Sequence, residues 1–143
     1  MLSNTCKAAI KAVIYLASKE KSGENSGVKE IAKFINVSEH TVSKVLQTLV
    51  KQKIINSIKG PTGGFYITPE QREQPIIKIV DTIDGKDVFN ECGLGLSKCS
   101  SSHPCPIHNE YKKGREIIQT LFKTKKISAL CEPVENGLAY LIG

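Results

Sequence analysis

The sequence predicts a mainly α-helical chain with one small β-hairpin. Three observations carry that reading: apolar residues at helical spacing in three successive stretches of the first 53 residues, a breaker-rich Gly60-Pro61-Thr62-Gly63-Gly64 tip between two alternating runs, and a long narrow apolar stripe over 107–121.

The first stretch, Thr5 to Lys19, places Ala8, Ala9, Ala12, Val13 and Leu16 on one face of an amphipathic helix, and KSGENSG (21–27) breaks it. Val28 to Phe34 forms a short second helix with Val28, Ile31, Ala32 and Ile35 facing inward. Asn36-Val37 marks a tight turn, because Asn tolerates the left-handed backbone that such a connection needs. Ser38 then caps a third helix, with Thr41 three residues on and Val42, Val45, Leu46, Leu49 and Val50 running to about Lys53. The run IINSIKGPTGGFYIT reads as a hairpin. A short helix, a tight turn, a longer helix and a hairpin make a winged helix-turn-helix.

Pro75 to Ile83 (PIIKIVDTI) opens on a proline and carries apolar residues at 76, 77, 79, 80 and 83, so it is a helix packed against that module. A last long helix runs from about Cys105 to Lys126. Its Ile107, Tyr111, Gly114, Ile118 and Leu121 form a heptad-like seam, which a helix–helix dimer needs. Residues 1–74 are therefore expected to be the winged helix-turn-helix domain. Residues 75–143 hold the packing helix, a cysteine loop over 88–108 and a C-terminal dimerisation helix.

At 143 residues and 40% hydrophobic composition the chain has room for one modest core and none for a large catalytic scaffold. Lys11 interrupts the apolar run near the N-terminus and no cleavage site follows, so that segment reads as a helix of a cytoplasmic protein with no membrane partner. Five cysteines, an odd number in a reducing compartment, favour metal binding, redox chemistry or burial over a disulfide framework. The net charge of +6 is uneven: residues 1–74 carry 11 Lys and Arg against 6 Asp and Glu, whereas 75–143 carry 9 against 8. The first half is the one to face a polyanion.

On double-stranded DNA the third helix would enter the major groove, presenting Ser38, Glu39, His40, Thr41, Ser43, Lys44 and Gln47. Lys44 and Lys51 suit phosphates, and Lys59 with Gly60 leads the wing tip toward the minor groove or backbone. The second concentration of chemistry is the loop ECGLGLSKCSSSHPCPIH (91–108), where Cys92, Cys99, Cys105 and His108 follow C-x6-C-x5-C-x2-H. Structural zinc sites usually begin with ligands two to four residues apart, closer than these. An iron–sulfur cluster spans several ångströms and accepts wider spacing, with imidazole able to replace a thiolate. Cluster, zinc, thiol switch and inert cysteines all stay open on spacing. His103 competes with His108 as nitrogen donor; His108 is preferred because a helix begun near Pro104-Cys105 puts it on the face of Cys105. Cys6 and Cys131 lie in apolar stretches and read as buried. No Cys-x-x-Cys and no nucleophile–base pair at recognisable spacing is present, so the chain does not read as an enzyme.

LSNTCKAAIKAVIYLA, VKEIAKFINVSEHTVSKVLQTLVKQKIINSIKGPTGGFYI and the three-cysteine loop together resemble the Rrf family of bacterial transcription regulators, from Leu2 to about Lys126. The resemblance implies a homodimer held by the long helix, a palindromic promoter operator, and a cluster on Cys92, Cys99 and Cys105. His108 matches the histidine of the IscR-like branch, which implies a [2Fe–2S] cluster, whereas the acidic ligand of NsrR-like members falls near Lys7 here. The chain departs from both in its six-residue first cysteine gap. Ser43 also stands where IscR-like members have an acidic base-contacting residue, so their operator sequence is not carried over to this chain.

Overall fold

Ser3 starts the first helix: its hydroxyl accepts the Cys6 N–H at 3.0 Å, satisfying one of the amides left free at a helix N-terminus. The computed structural model describes all 143 residues. Its helices are α1 (Asn4–Lys19), α2 (Val28–Ile35), α3 (Glu39–Lys51), α4 (Pro69–Arg72), α5 (Ile77–Ile83), α6 (His108–Thr124) and α7 (Ile127–Glu135). A 3-10 turn over Glu20–Ser22 and strands β1 (Asn56–Ile58) and β2 (Gly64–Tyr66) complete it.

Nine of the sixteen residues of α1 are buried, including Ala8, Ala9, Ala12 and Ala17. Small side chains let other backbones approach closely, and α1 accordingly touches α2, α3, α5, α7 and β2. The main core joins Val13 and Leu16 of α1 to Ile31 and Ile35 of α2, Leu46 and Leu49 of α3, Ile79 of α5 and Ile127 of α7. Each such side chain contributes roughly 1.5–3 kcal/mol on leaving water. A smaller cluster of Cys6, Val80, Val88 and Phe89 lies beside it, with Phe89 and Phe122 rings 5.6 Å apart. It carries α5 toward the cysteine loop.

The helix-turn-helix forms as the local signals require. Asn36 ends α2 with φ 55°, and Ser38 caps α3 by accepting the Thr41 N–H. The hairpin pairs Asn56 with Tyr66, Ser57 with Phe65 and Ile58 with Gly64, antiparallel. A Cβ on Gly63 would stand 2.0 Å from the Ile58 carbonyl oxygen, so only glycine fits this tip. Ser26, in the segment read as a break, adds a bridge to Phe65 with N–O distances of 2.9 and 2.8 Å.

Several boundaries differ from expectation. The long helix begins at His108 rather than near Cys105, because a residue before proline is disfavoured in helical geometry and Cys105 precedes Pro106. It ends at Thr124, and a separate α7 with Pro133 inside it follows. α5 begins at Ile77, since Pro75 instead bridges antiparallel to Lys126. α4 is an additional single turn, fixed by a capping box between Thr68 and Gln71. Arg72, at its end, is buried and bonds Glu20 at 3.1 Å, Glu135 at 3.5 Å and the Cys131 sulfur at 2.9 Å. This ties the base of the wing to α7. Burial, opposed by Arg72, pushes the Cys131 thiol up, and burial with the nearby Asp84 pushes Cys6 up to about 12. Both cysteines are buried, as their apolar surroundings predict. No helix is long and apolar enough to cross a membrane.

Ala12, fully buried where α1 meets its neighbours, is the sharpest test of this packing. Ala12→Leu is expected to destabilise the chain by about 1–3 kcal/mol, read as a lower midpoint in urea or thermal unfolding.

Candidate functional site

The cysteine loop folds back onto the first two turns of α6. Pro104 and Pro106 keep the chain extended around Cys105, and a turn then brings the His108 N–H to the Cys105 carbonyl at 3.0 Å. Cys105 and His108 are both buried, and a turn rather than a shared helix face joins their backbones. The His108 ring sits between two partners, with Nδ1 3.4 Å from the Cys99 sulfur and Nε2 3.4 Å from the Ser101 hydroxyl. His103 is exposed beside Ser102, outside this group.

The loop is fastened to α6 by residues that sequence reasoning assigned elsewhere or did not single out. Tyr111, expected in the dimer seam, lies under Gly93 in the single chain: a Cβ there would come within 2.6 Å of the Tyr111 ring. Arg115 is buried and donates from Nη1 to the Glu91 carbonyl at 2.6 Å and to the Cys99 sulfur at 3.3 Å. His108, Tyr111 and Arg115, at i, i+3 and i+7, share one face of α6. The i+7 spacing from His108 is the one sequence signal that could have found Arg115.

The sulfurs differ in their surroundings. The backbone N–H groups of Leu94 and Leu96 favour the Cys92 thiolate, and the Cys105 thiol adds to this, so Cys92 ionises below the ordinary thiol value. Burial pushes Cys105 up, against the Ile107 N–H, and the neighbouring Cys92 and Cys99 push it further. None of the three is paired in a disulfide. A cleft of about 610 Å³ opens beside Cys92 and Cys99, lined also by Asp87, Asn90, Glu91 and Lys98. No three His, Cys, Asp or Glu side chains of the chain converge at the spacing of a single metal ion. Cys99 touches His108 and Cys92 neighbours Cys105, so the four donors stand as two pairs.

At the other end, α3 presents Ser38, Glu39, His40, Lys44 and Gln47 to solvent, with Thr41 and Ser43 half-buried. Thr41 receives a hydrogen bond from the Ser38 hydroxyl at 2.9 Å, and Ser43 accepts one from Gln47 at 3.2 Å. Lys44 borders a shallow groove shared with Thr5 of α1 and Thr82 of α5. Lys51 is exposed at the end of α3. Lys59 and Gly60 stand exposed at the wing tip, Gly60 with φ 108°.

A sequence profile of the Rrf2 family, described as an iron-dependent transcriptional regulator, matches residues 2–133. The chain belongs to the Rrf2 family. It is similar to a protein of Aquifex aeolicus assigned as an HTH-type transcriptional regulator, with 30% identity over 140 residues and 96% of each chain covered. Among solved structures it resembles CymR, the global cysteine regulator of B. subtilis (TM-score 0.75, 17% identity, 92% of this chain and 96% of that one). It also resembles T. potens IscR (TM-score 0.68, 16% identity, 97% and 91%). At these identities the two structures establish the Rrf2 winged-helix fold and no more. Family membership makes the chain a transcription regulator with a DNA-binding winged helix.

The unequal thiols give a checkable order of reaction. In metal-free, reduced protein, iodoacetamide is expected to modify Cys92 before Cys105, with Cys92 still reacting as pH falls below the usual thiol range and Cys105 requiring higher pH; peptide mass spectrometry reads both.

Proposed function

We propose that this Rrf2-family regulator acts in the cytoplasm as a homodimer on promoter DNA. It senses iron, redox state or nitric oxide through a [2Fe–2S] cluster on Cys92, Cys99, Cys105 and His108. The observation that supports this most is the gathering of three thiols and one buried imidazole at the start of α6, in pairs rather than around one point. Thiolate and neutral imidazole are the donors such a cluster takes, and its spread suits this arrangement better than one zinc ion does. When bound, the cluster supplies one-electron redox chemistry. The chain's own residues do the rest: Gly93 and Tyr111 seat the loop, Arg115 holds Cys99, and α6 carries the result to the dimer partner.

In this proposal residues 1–74 read DNA and 75–143 sense and dimerise. Ser38, Glu39, His40, Thr41, Ser43, Lys44 and Gln47 enter the major groove, while Lys59 and Gly60 bring the wing to the backbone or minor groove. The dimer forms through α6, whose Ile117, Ile118 and Leu121 are exposed at 72%, 37% and 46%. Thr41 and Ser43, engaged in bonds within α3, would position their neighbours more than they read bases.

A second reading rests on Cys92, whose half-exposed sulfur is favoured as thiolate beside Cys105. A cluster-free regulator responding to thiol oxidation would use that pair. The two readings part in one experiment. Protein purified without oxygen, or reconstituted with iron and sulfide, is expected to show visible thiolate-to-iron absorption with about two irons per chain, lost in Cys105→Ala. The same sample is expected to sediment as a dimer and Ile117→Glu as a monomer. A colourless wild type that forms a Cys92–Cys105 disulfide with peroxide would favour the second reading.

A further inference from the structure

Two arginines are buried, and they are treated differently. Arg72 meets two carboxylates, Glu20 and Glu135, and none of the chain's three ion pairs includes Arg115. Arg115 is nine-tenths buried, at 7% exposure, with only a carbonyl oxygen and a thiol sulfur on its guanidinium and the Tyr111 ring 5.9 Å away. A buried cation without counter-charge is unfavourable, whereas a paired one is tolerated. Of the two groups it faces, the Cys99 thiol becomes an anionic thiolate on ligating a metal, its proton being released to solvent, while the Glu91 carbonyl stays neutral. Arg115 also fixes the loop at two points seven residues from His108 on the same helix face, at Glu91 before Cys92 and at Cys99.

We propose that Arg115 is the positioning residue and counter-cation of the cysteine site, holding Cys99 against α6 and favouring the negatively charged, occupied state. This rests on the cluster reading for its charge role and on the loop contacts for its positioning role. A thiolate-held [2Fe–2S] assembly is anionic and gains a further negative charge when it accepts one electron, which dithionite supplies in the test. A buried cation beside it therefore favours the reduced form. Both contacts come from Nη1, whose two N–H groups lie fixed in the guanidinium plane, whereas a lysine ammonium carries its donors on a freely rotating, flexible stem.

Arg115→Gln and Arg115→Lys separate the two roles. In metal-free protein, amide hydrogen exchange over residues 90–105 is expected to quicken at least several-fold in Arg115→Gln while α1, α2 and α3 keep their protection. In reconstituted protein the reduction midpoint of Arg115→Gln is expected to be more negative than wild type, with faster loss of iron to a chelator. Arg115→Lys is expected to recover the midpoint, because it keeps the charge, and to leave loop exchange fast. Loop exchange equal to wild type in both variants overturns the positioning role, and an unchanged midpoint in Arg115→Gln overturns the charge role. A wild type that takes up no iron and sulfide sinks the cluster reading and the charge role with it, while the exchange measurement still decides the positioning role.

Discussion

The structure depends on the close packing of α1. Its alanine face is what lets α3, α5 and α7 all approach one helix, so the recognition helix and the C-terminal half share a single core. Close-packed interiors transmit displacement because they have little free volume to absorb it. Ser3 extends the constraint: its backbone N–H and its hydroxyl both donate to the Asp84 carboxylate at the end of α5, the N–H at 2.8 Å. The start of α1 and the stem of the cysteine loop are thereby held together, and α3 lies against both.

That arrangement gives the proposed sensing a physical route. Ordering of the loop on α6 would press on α5 through Val88 and Phe89, and α5 packs on α1 and α3. In the proposed function a change in the site would reach the DNA-reading helix by packed elements rather than by a flexible linker. On the far side, the Arg72 cluster ties α7 to α4 at the base of the wing. Arg115 is the corresponding tie at the cysteine loop, and it differs in lacking a carboxylate.

The winged helix was legible because its signals are local. Asn36 needs left-handed backbone, Ser38 is a helix cap and Gly63 permits a backbone approach that any side chain would block, and each acts within a few residues of itself. What sequence did not reveal depends on tertiary context. Arg115 looks like one more charge on a polar helix until the loop covers it, and Tyr111 fits a heptad seam equally well whether a partner or Gly93 lies on it. α4 is too short for periodicity, and α7 carries a proline that argues against a helix. The start of α6 slipped by one turn because two prolines bracket Cys105 and outweigh the helical pattern that follows.

The central claim is that the state of the 92–108 loop is coupled to DNA binding. It is tested most directly by selecting a duplex from a random pool and measuring its affinity for iron–sulfur-loaded, metal-free reduced and Cys92→Ala/Cys99→Ala/Cys105→Ala protein at one fixed salt concentration. The account predicts that the loaded protein differs from the other two in affinity or preferred sequence by at least about five-fold, the scale of a typical coupling energy. Equal affinity and equal sequence preference for all three would contradict it, leaving a DNA-binding protein whose cysteine loop does not speak to its recognition helix.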